Sequence, residues 1–150
     1  MNEDPRGWGV KACTSLLRFQ SRLERRFAET LAVHGLTVSQ FDVLATLSHG
    51  EGITQQELAE WLLVTKGNVV GLLDRVGASG WVERRPDPED RRVNRLYLTD
   101  SGRQLLHRAE PTQFGLIRQV FGKLTEGELH LLAELVERLD GATQECTDPG

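Results

Sequence analysis

Gly80-Trp81-Val82-Glu83-Arg84-Arg85-Pro86-Asp87-Pro88-Glu89-Asp90-Arg91-Arg92-Val93-Asn94-Arg95-Leu96-Tyr97-Leu98-Thr99 is the one stretch of this chain that reads as strand. Residues 81–84 and 95–99 alternate apolar and polar side chains with period two, the signature of a half-buried strand. Between them, residues 85–94 are turn formers and charges. Two strands around such a loop predict an antiparallel hairpin with an extended, charged tip.

Everything outward from the hairpin reads as helix. Upstream, 65–79 places Val69, Leu72, Leu73 and Val76 on one face, and shorter helices are predicted over 54–62 and 39–48. Before these, Cys13, Leu16, Leu17, Phe19, Leu23, Phe27 and Leu31 recur at steps of three and four, and Gly35 is placed to stop that helix. A helix over 10–34 would be about 37 Å long, more than the rest of one such chain can cover. Downstream, a helix is predicted from 100–101 to 121, with Pro111 expected to kink or break it. The last helix is expected to bury Leu129, Leu132, Leu135, Val136 and Leu139. Ser39 with Asp42, Thr54 with Glu57 and Thr125 with Glu128 have capping-box spacing, and Thr65 is a fourth N-cap candidate, stapled by Val64 and Val69. Residues 1–7 and 142–150 read as frayed tails. Trp8, Trp61 and Trp81 read as core or junction aromatics.

The 150 residues are 39% hydrophobic and 27% charged, the composition of an ordinary globular domain. No apolar run is long enough to span a membrane, and the acidic N-terminus lacks a secretory h-region, so a cytoplasmic protein is expected. Cys13 and Cys146 cannot build a disulfide framework. The four histidines show no paired metal-ligand spacing, and no nucleophile–base pair or phosphate-binding loop is visible. Neither enzyme activity, metal nor cofactor is expected. Net charge is −4, yet residues 54–108 carry nine Lys/Arg against eight Asp/Glu, and 84–95 five arginines against three acids. A local basic stripe sets the contact potential, so the acidic total does not exclude nucleic acid.

Taken in order, 39–99 is a helix-turn-helix followed by a wing. In that arrangement the second helix of the pair enters the major groove of DNA, and wing arginines reach the adjacent minor groove. The segments Ser39-Gln40-Phe41-Asp42-Val43-Leu44, Ile53-Thr54-Gln55-Gln56-Glu57-Leu58-Ala59, Leu72-Leu73-Asp74-Arg75, residues 80–92 and Leu98-Thr99-Asp100-Ser101-Gly102 resemble the MarR family of bacterial transcriptional regulators. The resemblance covers roughly 10–140, in order and spacing. It implies a single MarR-type domain over 1–150, mainly α with a small antiparallel β-hairpin wing. The DNA-binding lobe is 39–99, and 10–34 and 101–140 form a helical dimerisation region. The implied activity is repression: a homodimer on palindromic double-stranded DNA, released by a small molecule or an oxidant.

Projecting 65–79 turns Gly67, Gly71, Asp74 and Ala78 away from the core, flanked by Asn68, Arg75 and Val70. Three glycines (67, 71 and 77) cost about 1 kcal/mol each relative to alanine. They are either drift at solvated positions or a means of bringing the helix backbone close to DNA. In the second case Asn68 reads adenine, Val70 and Thr65 meet thymine methyls, and Lys66 and Arg75 hold phosphate, with Thr54 and Gln55 at the first helix. By family position Arg92 is the minor-groove arginine, steadied by Asp90. Arg91 and Arg95 are expected at phosphate, and Asp74 in a salt bridge with a wing arginine. The 84–95 charges could instead form only a solvated hairpin, and a separate alternative for the whole chain is a winged helix used for protein–protein contact, with no operator. Where small aromatic or phenolic effectors commonly bind in the family, this chain offers Phe19, Arg22, Phe41 and Arg108, which could equally be ordinary core and surface. Cys13 is either a packed cysteine or the sensor of a thiol-based oxidant switch, with Cys146 as a resolving thiol.

Overall fold

Local capping chemistry sets the element boundaries. The computed structural model describes the backbone of residues 5–62 and 66–145, and the side chains of all of these except 5, 6 and 66. The elements are α1 (Pro5–Ala32), α2 (Val38–His49), β1 (Ile53–Thr54), α3 (Gln55–Trp61), α4 (Lys66–Ala78), β2 (Val82–Pro86), β3 (Asn94–Leu98), α5 (Asp100–Phe121) and α6 (Glu126–Glu145). The chain is thus mainly helical with one small antiparallel sheet, as the pattern predicts.

At the end of α1, Gly35 adopts φ +73°, the Leu36 N–H donates to the Leu31 carbonyl at 3.2 Å and the Gly35 N–H to Ala32 at 3.0 Å. This is a Schellman closure, and Gly80 repeats it after α4 with φ +75°. Helix α2 corrects one expectation: its N-cap is Thr37, not Ser39. Leu36 is buried at 3% exposure and anchors the chain just past the Gly35 turn. Thr37 is then left extended, and the Gln40 side chain closes the box. Ser39 already lies inside the first turn. The boxes at Thr54 and Thr125 form as read. The candidate cap Thr65 and its partner Val64 lie outside the described residues.

The sheet holds a strand that the alternation did not reveal. Its order is β1-β3-β2, with Ile53 opposite Leu96 and Thr54 opposite Arg95. Two residues are too short to show a period. In the hairpin, Val82 pairs with Leu98 and Arg84 with Leu96 on one face, while Glu83 pairs with Tyr97 and Arg85 with Arg95 on the other. Helix α5 passes through Pro111 unbroken. Helices α1 and α6 reach Pro5 and Glu145, so both run into the segments read as tails.

The chain divides into two compact units, Met1–Gln113 and Phe114–Gly150. The first has a core built on Leu31, Leu44, Leu47, Leu58, Leu73 and Leu96, all within 2% of full burial. Each such leucine contributes about 2–3 kcal/mol of transfer free energy. Within this unit a polar link joins α1 to α5: the buried Gln113 donates to Thr30 Oγ1 at 2.7 Å, and His34 meets Thr112 at 3.1 Å. In the second unit α6 carries no buried residue, which corrects the expectation for its apolar stripe. Leu135, Val136 and Leu139 are exposed. Trp8 and Trp61 are likewise exposed, at 55% and 66%, and only Trp81 packs on the core. Among the described residues, no helix is long and apolar enough to cross a membrane.

Candidate nucleic-acid interface

Helix α4 turns Val69, Leu72, Leu73 and Val76 inward, each at most 5% exposed. Its outer surface is Gly67, Asn68, Val70, Gly71, Asp74, Arg75 and Ala78, and it is nearly bare of long side chains. A Cβ added at Gly67 or Gly71 meets nothing within 4 Å. No packing inside the fold therefore requires glycine at either place. The Lys66 side chain and all of Thr65 lie outside the described residues.

The wing stands beside this surface because β2 and β3 alternate. Arg84 shares the inner face with Val82, and its Nη2 donates to Asp74 of α4 at 2.8 Å. The pair lines an open groove of about 260 Å³ with Leu73, Gly77, Ala78 and Val82. On the outer face Arg85 and Arg95 lie directly opposite each other, a repulsive arrangement unless each is neutralised. Arg85 bonds Glu83 and stacks 4.4 Å above the Tyr97 ring. Arg95 bonds Asp87, and its Nη1 donates to the Gly52 carbonyl at 2.7 Å. Arg95, expected at phosphate, is thereby engaged as a brace of the wing base.

Asp87 organises the tip. It is 6% exposed and accepts the Glu89 and Asp90 N–H groups at 2.7 and 3.2 Å, an Asx-type turn. Those two amides and Arg95 hold its carboxyl below the usual range, the Glu89 amide contributing most. Asp90 then accepts Arg92 Nε at 3.1 Å and the Arg92 backbone N–H at 3.0 Å, while the Arg92 side chain stays 92% exposed. Arg91 is also exposed, and it makes no ion pair among the described residues. At the other edge Thr54 is committed as the α3 cap, with Gln55 the first helical residue behind it. Thr54 bonds hold Glu57 below the usual range.

Behind the wing, Thr99 accepts the Gly102 N–H at 3.0 Å and donates to the Gly80 carbonyl at 2.6 Å. A Cβ at Gly102 would fall 2.1 Å from the Trp81 carbonyl oxygen. This explains a small residue three places after the threonine. Sequence reasoning missed Asp87, Glu51 and Arg103. The Asp87-Pro88 turn chemistry could have signalled the first. Nothing local signals the Glu51–Arg103 pair at 2.7 Å, whose partners are far apart in the chain.

The effector candidates are spread over three helices of the first unit. Phe19 and Arg22 are exposed on α1, Phe41 is half-buried on α2 and Arg108 is exposed on α5. No hydrogen bond or ion pair ties Arg22 or Arg108 to another described residue. Cys13 is an exposed free thiol, and Cys146 lies outside the described residues.

A winged helix-turn-helix with a bare second helix and a held arginine at the wing tip defines a DNA-binding class. Comparison with known proteins agrees. Residues 34–93 match the model of the MarR family. An uncharacterised HTH-type transcriptional regulator of Bacillus cereus is 33% identical over 125 residues, 83% of either chain. Among solved structures, a MarR mutant from E. coli complexed with operator DNA superposes with a TM-score of 0.81 at 27% identity, covering 91% of this chain and 99% of that one. The transcriptional repressor CouR bound to a 23-mer DNA duplex also superposes at 0.81, with 29% identity over 93% of this chain and 99% of that one. The chain belongs to the MarR family, and it is a DNA-binding transcriptional regulator rather than an enzyme.

Proposed function

We propose that this regulator is a homodimeric repressor that lays α4 in the major groove of each half of a palindromic operator and Arg92 in the flanking minor groove. The observation that carries the reading is the pairing of two features on one lobe. The outer face of α4 is smooth where nothing internal demands glycine, and Arg92 stands exposed on a carboxylate that fixes its direction. Asn68 reads adenine, Val70 and Thr65 meet thymine methyls, Gly67 and Gly71 allow close approach, and Arg75, Arg91 and Lys66 meet phosphate, with Thr54 and Gln55 at the start of α3. Asp74 and Asp90 support the wing. The E. coli MarR complex with operator DNA and the CouR complex with a 23-mer duplex support DNA binding by this fold.

The dimer rests on residues 10–34 and 101–140, where Leu17, Phe114, Leu131 and Leu139 are each more than half exposed on one chain. Release falls to a small aromatic or phenolic effector at Phe19, Arg22, Phe41 and Arg108, which offer a ring stack and cations for a carboxylate. Selection of bound sequences from a random DNA pool tests the operator; a palindrome is expected, and no enrichment overturns the reading. For the effector, a Cys13→Ser, Cys146→Ser protein should still release DNA on adding an aromatic acid. Release by peroxide in the parent, abolished in that variant, overturns the ligand switch in favour of the exposed Cys13.

A further inference from the structure

The turn Glu51-Gly52, between α2 and β1, is where two side-chain struts meet. On one side Arg103, in the first turn of α5, donates to the Glu51 carboxylate at 2.7 Å. Glu51 Oε1 also accepts the Leu98 N–H, at the end of β3, at 2.9 Å. On the other side the Gly52 carbonyl accepts Arg95 Nη1 at 2.7 Å, and Arg95 Nε donates to Asp87. The Gly52 N–H closes onto the Leu96 carbonyl at 2.8 Å. Asp87 in turn folds the tip through the Glu89 and Asp90 amides, and Asp90 holds Arg92. From α5 to the wing tip the polar contacts are therefore unbroken.

The turn between the struts is stiff. Gly52 sits at φ +81°, a conformation other residues rarely adopt, and a Cβ there would lie 3.2 Å from Tyr97 Oη. The carboxylates are shielded too: the Glu51 side chain is 28% exposed and that of Asp87 9%. Their arginine partners stay 51% and 40% exposed, so each ion pair is partly screened, and the geometry rests as much on the bonds the carboxylates accept from the Leu98, Glu89 and Asp90 amides. None of these polar groups fills the apolar core. Their joint effect falls on where the wing stands.

We propose that Glu51 and Arg103 are positioning residues for the wing, setting where Arg92 stands relative to α4 through Gly52, Arg95 and Asp87. The inference rests on Arg92 as a DNA contact, the reading given above. A shift of the first turn of α5 is then passed to the wing tip without any change in the core.

Two measurements on the full chain test it. Glu51→Gln keeps an acceptor for Leu98 but loses the charge, Arg103→Met loses the donor, and Arg103→Lys keeps the charge. Hydrogen exchange should show the Asp87 and Val93 amides losing about tenfold or more protection in the first two variants and regaining it in Arg103→Lys, with Leu72 and Leu73 of α4 unchanged. In operator titrations Glu51→Gln and Arg92→Ala should each weaken binding. The double variant should then match Arg92→Ala alone to within about twofold. Additive losses overturn the proposal, and so does unchanged tip protection. If Arg92→Ala alone leaves affinity intact, the DNA role of the wing fails, and tip protection still decides whether the strut exists.

Discussion

Arg92 and Gly102 carry the sharpest expectations for single residues. Arg92 is almost fully exposed, and its guanidinium donates to Asp90 through Nε at 3.1 Å and Nη2 at 3.4 Å. Arg92→Ala removes one contact from each half-site, and at about 1 kcal/mol or more apiece affinity should fall at least tenfold. Arg118→Ala, on the exposed surface of α5, should leave it unchanged. Anisotropy titration against one operator decides both, and equal affinity of Arg92→Ala and parent sinks the wing assignment. Gly102 is a matter of space rather than recognition. Its Cβ would overlap the Trp81 carbonyl, which is backbone fixed by the Thr99 N–H at 3.0 Å. Gly102→Ala should cost about 1–3 kcal/mol, a fall in Tm of about 3–10 °C for a chain this long. Calorimetry showing no fall would mean that the first turn of α5 moves freely.

Helix α4 and the wing separate stability from recognition at the scale of elements. Since nothing surrounds an added Cβ at Gly71, Gly71→Ala should stabilise the fold by about 1 kcal/mol through helix propensity alone. If the bare face exists to approach DNA, the same change weakens operator binding. A variant both more stable and equally tight would show that the glycine is only tolerated. The wing also has an acid limit. Asp87 and Glu51 are held below the ordinary carboxylate range, Asp87 by its amides and Arg95, and Glu51 by Arg103 and Leu98 against the pull of burial. Groups depressed on folding contribute above their unfolded values and lose that contribution as pH falls through the folded ones. Glu57 and Glu128 follow the same sign, and Asp42, raised by burial, the opposite one. Urea stability should therefore drop below about pH 4.5, and less steeply in Asp87→Asn; a flat profile counts against it. These elements were legible in the sequence to different degrees. The inward face of α4 and the hairpin strands could be read because periodicity reports burial. The Thr37 cap was missed because Ser39 offers the same spacing and only the Gly35 turn decides between them. Strand β1, the Glu51–Arg103 pair and the Arg95–Asp87 brace depend on what folding brings together, and no local pattern encodes that.

For the whole molecule, α6 carries no buried residue, and much of the apolar face of α1 is exposed. Side chains such as Leu17, Leu131 and Leu139 stay more than half exposed, and each would bury about 1.5–3 kcal/mol against a partner. Sedimentation at micromolar concentration should find a dimer, and a monodisperse monomer removes the palindromic operator with it. A dimer doubles whatever cations one lobe presents. Arg84, Arg85 and Arg95 are already engaged with Asp74, Glu83 and Asp87. Arg92 is paired with Asp90 and assigned to the minor groove, which leaves Arg75, Arg91 and Lys66 for phosphate. Six phosphate-neutralising contacts per dimer give a slope of log affinity against log salt near −5. The steepness comes from one face, even though the chain as a whole is acidic at −4. Attraction is local while the remaining surface repels DNA, so non-specific binding should be weak at the same salt. Titrations over a range of salt concentrations measure both. A slope shallower than about −2 on the selected operator would mean that α4 and the wing do not lie along the phosphates, and would favour a winged helix that docks on protein.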